Sequence, residues 1–416
     1  MTKYWKKKTQ EEINSIVFDA LEKNVNYVSQ HTLGLPASYL DEKVFNQDAT
    51  FLKDAPYLST LIQNPNHIGC HTLGDSESFF KGTQEIEREL IQICAVDILQ
   101  GEENKQDGYV ASGGTEANIQ AIWIYRNYFQ QEKAAKPDEI AIMCSQDSHY
   151  SMDKAGNLLA LDIFKIKVDP EKRTVTRHNF EETLASAQKA GKKYFIVVCN
   201  MMTTMFGTVD PVDTFAEVLK SSNCEYKIHI DGAYGGFYYP FSNENSAMNF
   251  QNPNITSFTL DAHKVAQAPY GTGVFLIRKG FMSYANTKEA TYVEGTDLTL
   301  IGSRSGANAI AAWMVLVKNG PFGWYEKIFI LQKRTEWLCR KLDTLQIEYF
   351  RNPHSNIVTI QSDYMHSETA AQFGLVPDNH SAPTCYKVVV MEHVSIEKLS
   401  DLLNSIQIDL NKSSID

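Results

Sequence analysis

The chain has 416 residues, 43% hydrophobic and 21% charged, with a formal net charge of −11. This length and apolar content support two or three lobes around a large core. The acidic balance argues against binding to nucleic acid or an anionic membrane, because phosphate is repelled.

The N-terminal stretch "MTKYWKKKTQEEINS" is basic but has no apolar run behind it, so neither a signal peptide nor a membrane anchor is expected. No window reaches the roughly 18–20 apolar residues that span a bilayer. Residues 1–60 read as an N-terminal helical arm. In "TQEIERELIQICAVDIL", Ile86, Leu90, Ile93 and Cys94 share one helical face, which Asp97 interrupts one turn later. Strand-like runs then alternate with helical patterns: "EIAIMCS", "LDIFKIKV", "KYFIVVC", "YKIHIDG", "ITSFTLD" and "GVFLIRK". Several are continuously apolar, as strands buried on both faces are. The alternation predicts a large α/β domain over 61–305, with a mostly parallel central sheet and helices on both faces. From 306 to 416 a long helical stretch leads to short strands at "NIVTIQS" and "CYKVVVME" and a last helix, which reads as a smaller α+β domain. The seven cysteines show no CxxC pair and no metal spacing, which predicts buried thiols, no metal site and a reduced, cytoplasmic setting.

In open α/β sheets ligands bind beyond the carboxyl ends of the strands, and four runs deliver chemistry there. "SGGTEAN" places Gly113, Gly114 and Thr115 at a predicted helix start, where free amides and the helix dipole favour an anion such as phosphate. It reads equally as a Gly-rich turn with Thr115 as N-cap, and it lacks the Gly-Lys-Ser/Thr of a nucleotide loop. Asp231 closes the strand in "HIDGAYGG", where a carboxylate needs a cation or donor unless it simply caps the next turn. Lys264 closes "TLDAHK" among small residues: a desolvated lysine is nucleophilic toward carbonyls, whereas a lysine that reaches the surface is structural. His149 in "SQDSHYS" is a helix-cap residue or a ring laid over a planar ligand. A phosphate seat, a carboxylate, a flat ring and a lysine together suit pyridoxal 5'-phosphate.

The ordered set "SGGTEAN … DSHYS … TTMFGTVD … HIDGAYGG … DAHK" resembles the pyridoxal-phosphate group II amino-acid decarboxylases of aspartate aminotransferase-like fold (fold type I), nearest the compact archaeal-type tyrosine/aspartate branch. The resemblance covers about residues 65–405 and includes "GDSESFFKGT", "IGSRSGANA" and "VVVMEHVSIEKL". It implies that Lys264 links to the cofactor aldehyde and that Asp231 pairs with the ring nitrogen. Ala233 would lie beneath the ring and His149 on its other face. Gly114, Thr115 and His263 would take the phosphate, and Thr203 or Thr204 the ring hydroxyl. It also implies a homodimer with shared sites, in which Ser303 reaches the partner's phosphate and Tyr292 donates a proton. The segment His67 to Phe80 would line the amino-acid pocket through His71 and Phe79. Two positions depart from the family: Met202 stands where a glycine usually precedes the paired threonines, and Lys387 where the branch usually has arginine. Lys387 is then a substrate-binding point charge or a surface lysine. The implied reaction is decarboxylation of an L-amino acid to an amine and CO2. The same core also serves carbon–carbon lyases of the sphingosine-phosphate-lyase type and aminotransferases, and a fold retained only for binding is disfavoured by the presence of Lys264.

Overall fold

The structure, a computed structural model, describes residues 5–27, 30, 32–35, 39–41, 43–45, 48–68, 78–285 and 294–413. The described elements begin with α1 (Gln10–Glu22) and α2 (Pro56–Gln63), followed by β1 (Asn66–Ile68) and α3 (Lys81–Gln92). The chain continues with β2 (Gln106–Ala111), α4 (Gly114–Lys133), β3 (Ile140–Ser145), α5 (Ser151–Leu159), β4 (Asp162–Ile166) and α6 (Arg177–Lys189). It then runs through β5 (Tyr194–Asn200), α7 (Val212–Ser221), β6 (Glu225–Gly232), the short α8 (Tyr239–Ser242), β7 (Ile255–Asp261), β8 (Gly273–Arg278) and β9 (Ser303–Ser305). The long α9 (Gly306–Thr344) leads into β10 (Tyr349–Phe350), β11 (Ile357–Gln361), α10 (Ser367–Gln372), β12 (Val376–Pro377), β13 (Cys385–Val389) and α11 (Ile396–Ser413).

Seven strands form the central sheet in the order β2-β8-β7-β6-β5-β3-β4. It is parallel from β7 to β4, whereas β8 runs antiparallel to both its neighbours. The mostly parallel sheet flanked by helices is the fold read from the sequence; the reversed strand carries no signal in an apolar run such as "GVFLIR". Alternate residues leave the sheet on opposite faces. Ile196 and Val198 join one core with α4 and α5, while Phe195 and Val197 join the other with α6, α7 and α9. This explains why β5 is apolar without a break. A second sheet, β10-β11-β13-β12, is antiparallel and packs with α11 and the end of α9 over Leu338, Val358 and Leu402.

The predicted single helix over 83–99 is α-helical only to Gln92, and Ile93–Ile98 widens to a π-helical turn. Trp5 and Lys8 dock where α9 is kinked. Pro321 has no N–H and Gly320 leaves the helical conformation (φ 66°, ψ 173°), so of the carbonyls of Leu316 and Val317 the second loses its helical donor. Trp5 Nε1 donates to the first at 2.8 Å and the Lys8 N–H to the second at 2.8 Å. Among the described residues no helix is long and apolar enough to cross a membrane, and no three side chains gather as metal ligands.

Candidate active site

The register of β6 against β7 pairs Asp231 with Thr259 and Gly232 with Leu260. The carboxyl ends of these neighbouring strands therefore place Asp231 beside the turn that carries Lys264. Lys264 Nζ lies 3.0 Å from Asp261 Oδ2, a carboxylate 2% exposed. The Lys264 side chain itself is 38% exposed within one chain, and this buried counter-ion balances its charge. Burial pushes the Asp261 carboxyl above its usual range, against the pull of Lys264 and His263.

Asp231 accepts from Asn118 Nδ2 at 2.9 Å and from the Ala233 N–H at 3.1 Å. The "GG" turn sits alongside. A Cβ on Gly114 would lie 2.9 Å from Asp261 Oδ2 and 3.0 Å from the Ala233 Cβ, and one on Gly113 would touch the His263 ring at 3.7 Å. Only glycine lets the start of α4 approach so closely. The helix begins at Gly114 with Gly113 as N-cap, and no side chain caps it. Thr115 is thus inside the first turn rather than its cap, and the first amides are left for another partner.

One small cavity brings together Gly114, His149, Thr203, Thr204, Asp231 and Ala233. His149 Nδ1 lies 2.9 Å from Ser151 Oγ. Burial lowers the imidazole's basicity, with Asp231 opposing. Thr203 faces the cavity but its hydroxyl is engaged by Thr208 Oγ1 at 2.7 Å and by the Thr208 N–H at 3.1 Å; Thr204 is exposed. Met202 is at φ 71°, a left-handed conformation that glycine adopts without strain. Lys387, on β13, donates to the Thr204 carbonyl at 3.0 Å, and burial followed by the nearby Lys264 charge lowers its basicity. A wider cleft of about 1210 Å³ shares His149 and Thr204 and opens toward the second sheet, with Arg173, Phe206, Tyr349 and Phe350 in its walls.

Other expected residues lie elsewhere. Ser303 is on the β1–β9 ribbon, where it accepts from Asn66 Nδ2 at 3.2 Å. Phe79 lines a separate cleft of about 590 Å³ with Val25 and Leu33. His67 points into the protein, where Glu87 takes His67 Nδ1 at 2.7 Å and Arg304 Nη1 at 2.6 Å. His71 and Tyr292 lie outside the described residues. Sequence reasoning missed Asn118, His229 and Asp261. Their signals were spacing: Asn118 is one helical turn beyond Gly114, His229 shares the strand face of Asp231, and Asp261 stands three residues before Lys264.

These residues fit pyridoxal phosphate. His263 Nδ1 is buried without a hydrogen-bond partner beside the uncapped first turn of α4, and Asp231 keeps a buried carboxylate at the cavity wall. Residues 85–328 match the pyridoxal-dependent decarboxylase conserved domain. The chain belongs to that family. It is 51% identical over 412 residues to a tryptophan decarboxylase of Clostridium sporogenes, covering 99% of this chain and 98% of that protein. It is 30% identical over 370 residues to a probable L-aspartate decarboxylase of Archaeoglobus fulgidus, covering 85% and 95%. In fold it is similar to an L-methionine decarboxylase of Streptomyces sp. 590 (TM-score 0.72, 18% identity, 96% and 94% covered). The protein is therefore a pyridoxal-phosphate-dependent carboxy-lyase that converts an L-amino acid to its amine and CO2. The lyase and aminotransferase alternatives give way to this reading.

Proposed function

We propose that the substrate is an aromatic L-amino acid, tryptophan first, and that the enzyme works as a homodimer. The observation that carries this reading is the 51% identity to a tryptophan decarboxylase along 99% of the chain. The cleft beside His149 supports it. Its walls hold Phe206, Tyr349 and Phe350, and the charge of Arg173 is already met by Asp147 at 2.6 Å while its guanidinium stacks on Phe206 at 4.1 Å. Such a cleft suits a flat neutral side chain better than a second carboxylate.

Pyridoxal phosphate supplies the sink for the electron pair that the departing carboxylate leaves behind. In the proposed division of labour Lys264 would hold the cofactor covalently. Asp231 keeps the proton on the ring nitrogen. His149 covers one ring face and Ala233 the other, while the Gly114 and Thr115 amides with His263 seat the phosphate. Thr204 meets the ring hydroxyl in preference to Thr203, whose hydroxyl is engaged. Lys387 faces the substrate carboxylate, and the exposed Ser303 serves the partner's site. A panel of L-tryptophan, L-tyrosine, L-phenylalanine, L-aspartate and L-glutamate, with CO2 and amine measured together, tests the reading. The highest kcat/KM should fall on tryptophan with CO2 and amine in equal amounts. Preference for an acidic substrate would reject the aromatic assignment.

A further inference from the structure

Behind Asp231 runs a line of buried polar side chains that the reaction does not touch. Asn118 Nδ2 donates to Asp231 Oδ2 at 2.9 Å, Asn118 Oδ1 is 3.0 Å from His229 Nε2, and His229 Nδ1 is 2.6 Å from Ser257 Oγ, which in turn meets the Tyr125 hydroxyl. Asn118, His229, Ser257 and Tyr125 are each at most 1% exposed.

The directions of these bonds follow from one fixed end. An ionised carboxylate only accepts, so the Asn118 NH2 must face Asp231 and its carbonyl must face His229. His229 Nε2 then carries the hydrogen, with Thr259 Oγ1 a further neighbour at 3.2 Å. His229 Nδ1 must accept, so Ser257 donates to it and Tyr125 donates to Ser257. Each donor in the series polarises the next. Burial holds His229 neutral, with its pKa pushed down to about 4, which this tautomer requires. The charged and titratable groups acting here are Asp231 on β6, Tyr125 on α4 and Arg278 on β8, the last through Tyr125. Asn118 also turns its amide toward Ser151 Oγ at 3.0 Å, and Ser151 Oγ lies 2.9 Å from His149 Nδ1. The Ser151 hydroxyl therefore donates to His149, and the same amide sets the ring on the other side of the cavity.

We propose that Asn118 is the positioning residue of this site: with His229, Ser257 and Tyr125 it forms a one-directional hydrogen-bond chain that keeps Asp231 ionised and so keeps the shared proton on the cofactor's ring nitrogen. The inference rests on the reading that Asp231 meets that nitrogen. Hydrogen bonds to a carboxylate favour its charged form. Without them Asp231 becomes the better base and takes the proton.

The test is the nitrogen-15 chemical shift of the holoenzyme loaded with cofactor labelled at the ring nitrogen. Asn118→Ala and His229→Leu should move the signal toward unprotonated pyridine, and His229→Gln, which keeps a donor toward Asn118, should restore it. In Asn118→Ala kcat should fall about tenfold with KM held, the scale of one charge-assisted hydrogen bond. Tyr125→Phe and Ser257→Ala, milder changes at the far end, should give smaller shifts in the same direction and stand in should either core variant not fold. A wild-type signal throughout the variants overturns the proposal. Asp231→Asn separates the two claims. If it too leaves the signal unchanged, the reading of Asp231 fails as well. If it moves the signal while the chain variants do not, only the chain is refuted.

Discussion

Lys264 Nζ and Asp261 Oδ2 are 3.0 Å apart, and the same Asp261 oxygen lies 3.6 Å from His263 Nε2. One buried carboxylate thus sits between the lysine and the proposed phosphate seat. That position makes Asp261 a competitor of the incoming phosphate as well as a counter-ion of Lys264.

Asp261→Asn should therefore speed the loading of cofactor-free protein. Removing one negative charge beside the seat is worth at least about 1 kcal/mol, or roughly fivefold. Stopped-flow absorbance during loading measures it. Slower loading would show that the carboxylate orients Lys264 more than it repels phosphate.

Asp210 gives a pH prediction. It is buried, and it accepts from the Asn200 N–H at 2.7 Å and from Asn200 Nδ2 at 2.6 Å. Burial nonetheless raises its pKa from 3.8 to about 6. The folded value lies above the unfolded one, so the stability linked to this proton is fully present below about pH 4 and is lost as pH rises through about 6. The shift corresponds to about 3 kcal/mol. Between pH 4 and 7 the wild type should lose stability relative to Asp210→Asn, which does not titrate, by an amount of that order. Urea midpoints taken across that range that stay parallel would contradict it.

Lys387 reaches the Thr204 carbonyl at 3.0 Å and so links the second sheet to the cavity rim. Lys387→Met keeps the apolar stem and removes the charge. If the ammonium orients the leaving carboxylate, kcat should fall by about tenfold or more, the scale of a hydrogen bond to a charged group. Transamination products should rise alongside. Unchanged kcat, KM and product ratio would make Lys387 a structural tie only.

At Met202 two effects oppose one another. Its φ of 71° costs about 1–2 kcal/mol that glycine would relieve, but the side chain is 4% exposed, and truncating a buried methionine costs about 2–5 kcal/mol. Truncation dominates, so Met202→Gly should lower stability by about 1–3 kcal/mol in urea unfolding. A gain would mean that the strained turn outweighs the packing.

Much of this site was legible because it lies at strand ends. The abrupt Asp231 after "HI" and Lys264 after "DAH" stand out against apolar strands, and the paired glycines announce the close approach at α4. The long helix after 305 was visible as a helical run, but the docking of Trp5 and Lys8 onto its carbonyls at the kink was not, because it joins residues over 300 positions apart. For the same reason a lone Asn118 in a helix and a His229 inside a strand read as ordinary core polar groups until Asp231 supplies the partner. Met202 could be named as a departure from the family, but its left-handed backbone is a property of the turn closed by Thr203 and Thr208. Within one chain Phe79 lines the cleft with Val25 and Leu33, and His67, the first residue of the same stretch, is held inward by the buried Glu87, contacts that no local pattern announces.

The central claim is that Lys264 and Asp231 serve a single pyridoxal phosphate, and covalent mapping tests it most directly. The purified holoenzyme is reduced with borohydride, digested and analysed by mass spectrometry, with Asp231→Asn treated in parallel. The account predicts one pyridoxyl group per chain, on Lys264, in both proteins, with Asp231→Asn slower in turnover by at least about 100-fold, or about 2.7 kcal/mol of barrier. A label on any other lysine, or near-normal turnover in Asp231→Asn, would contradict it.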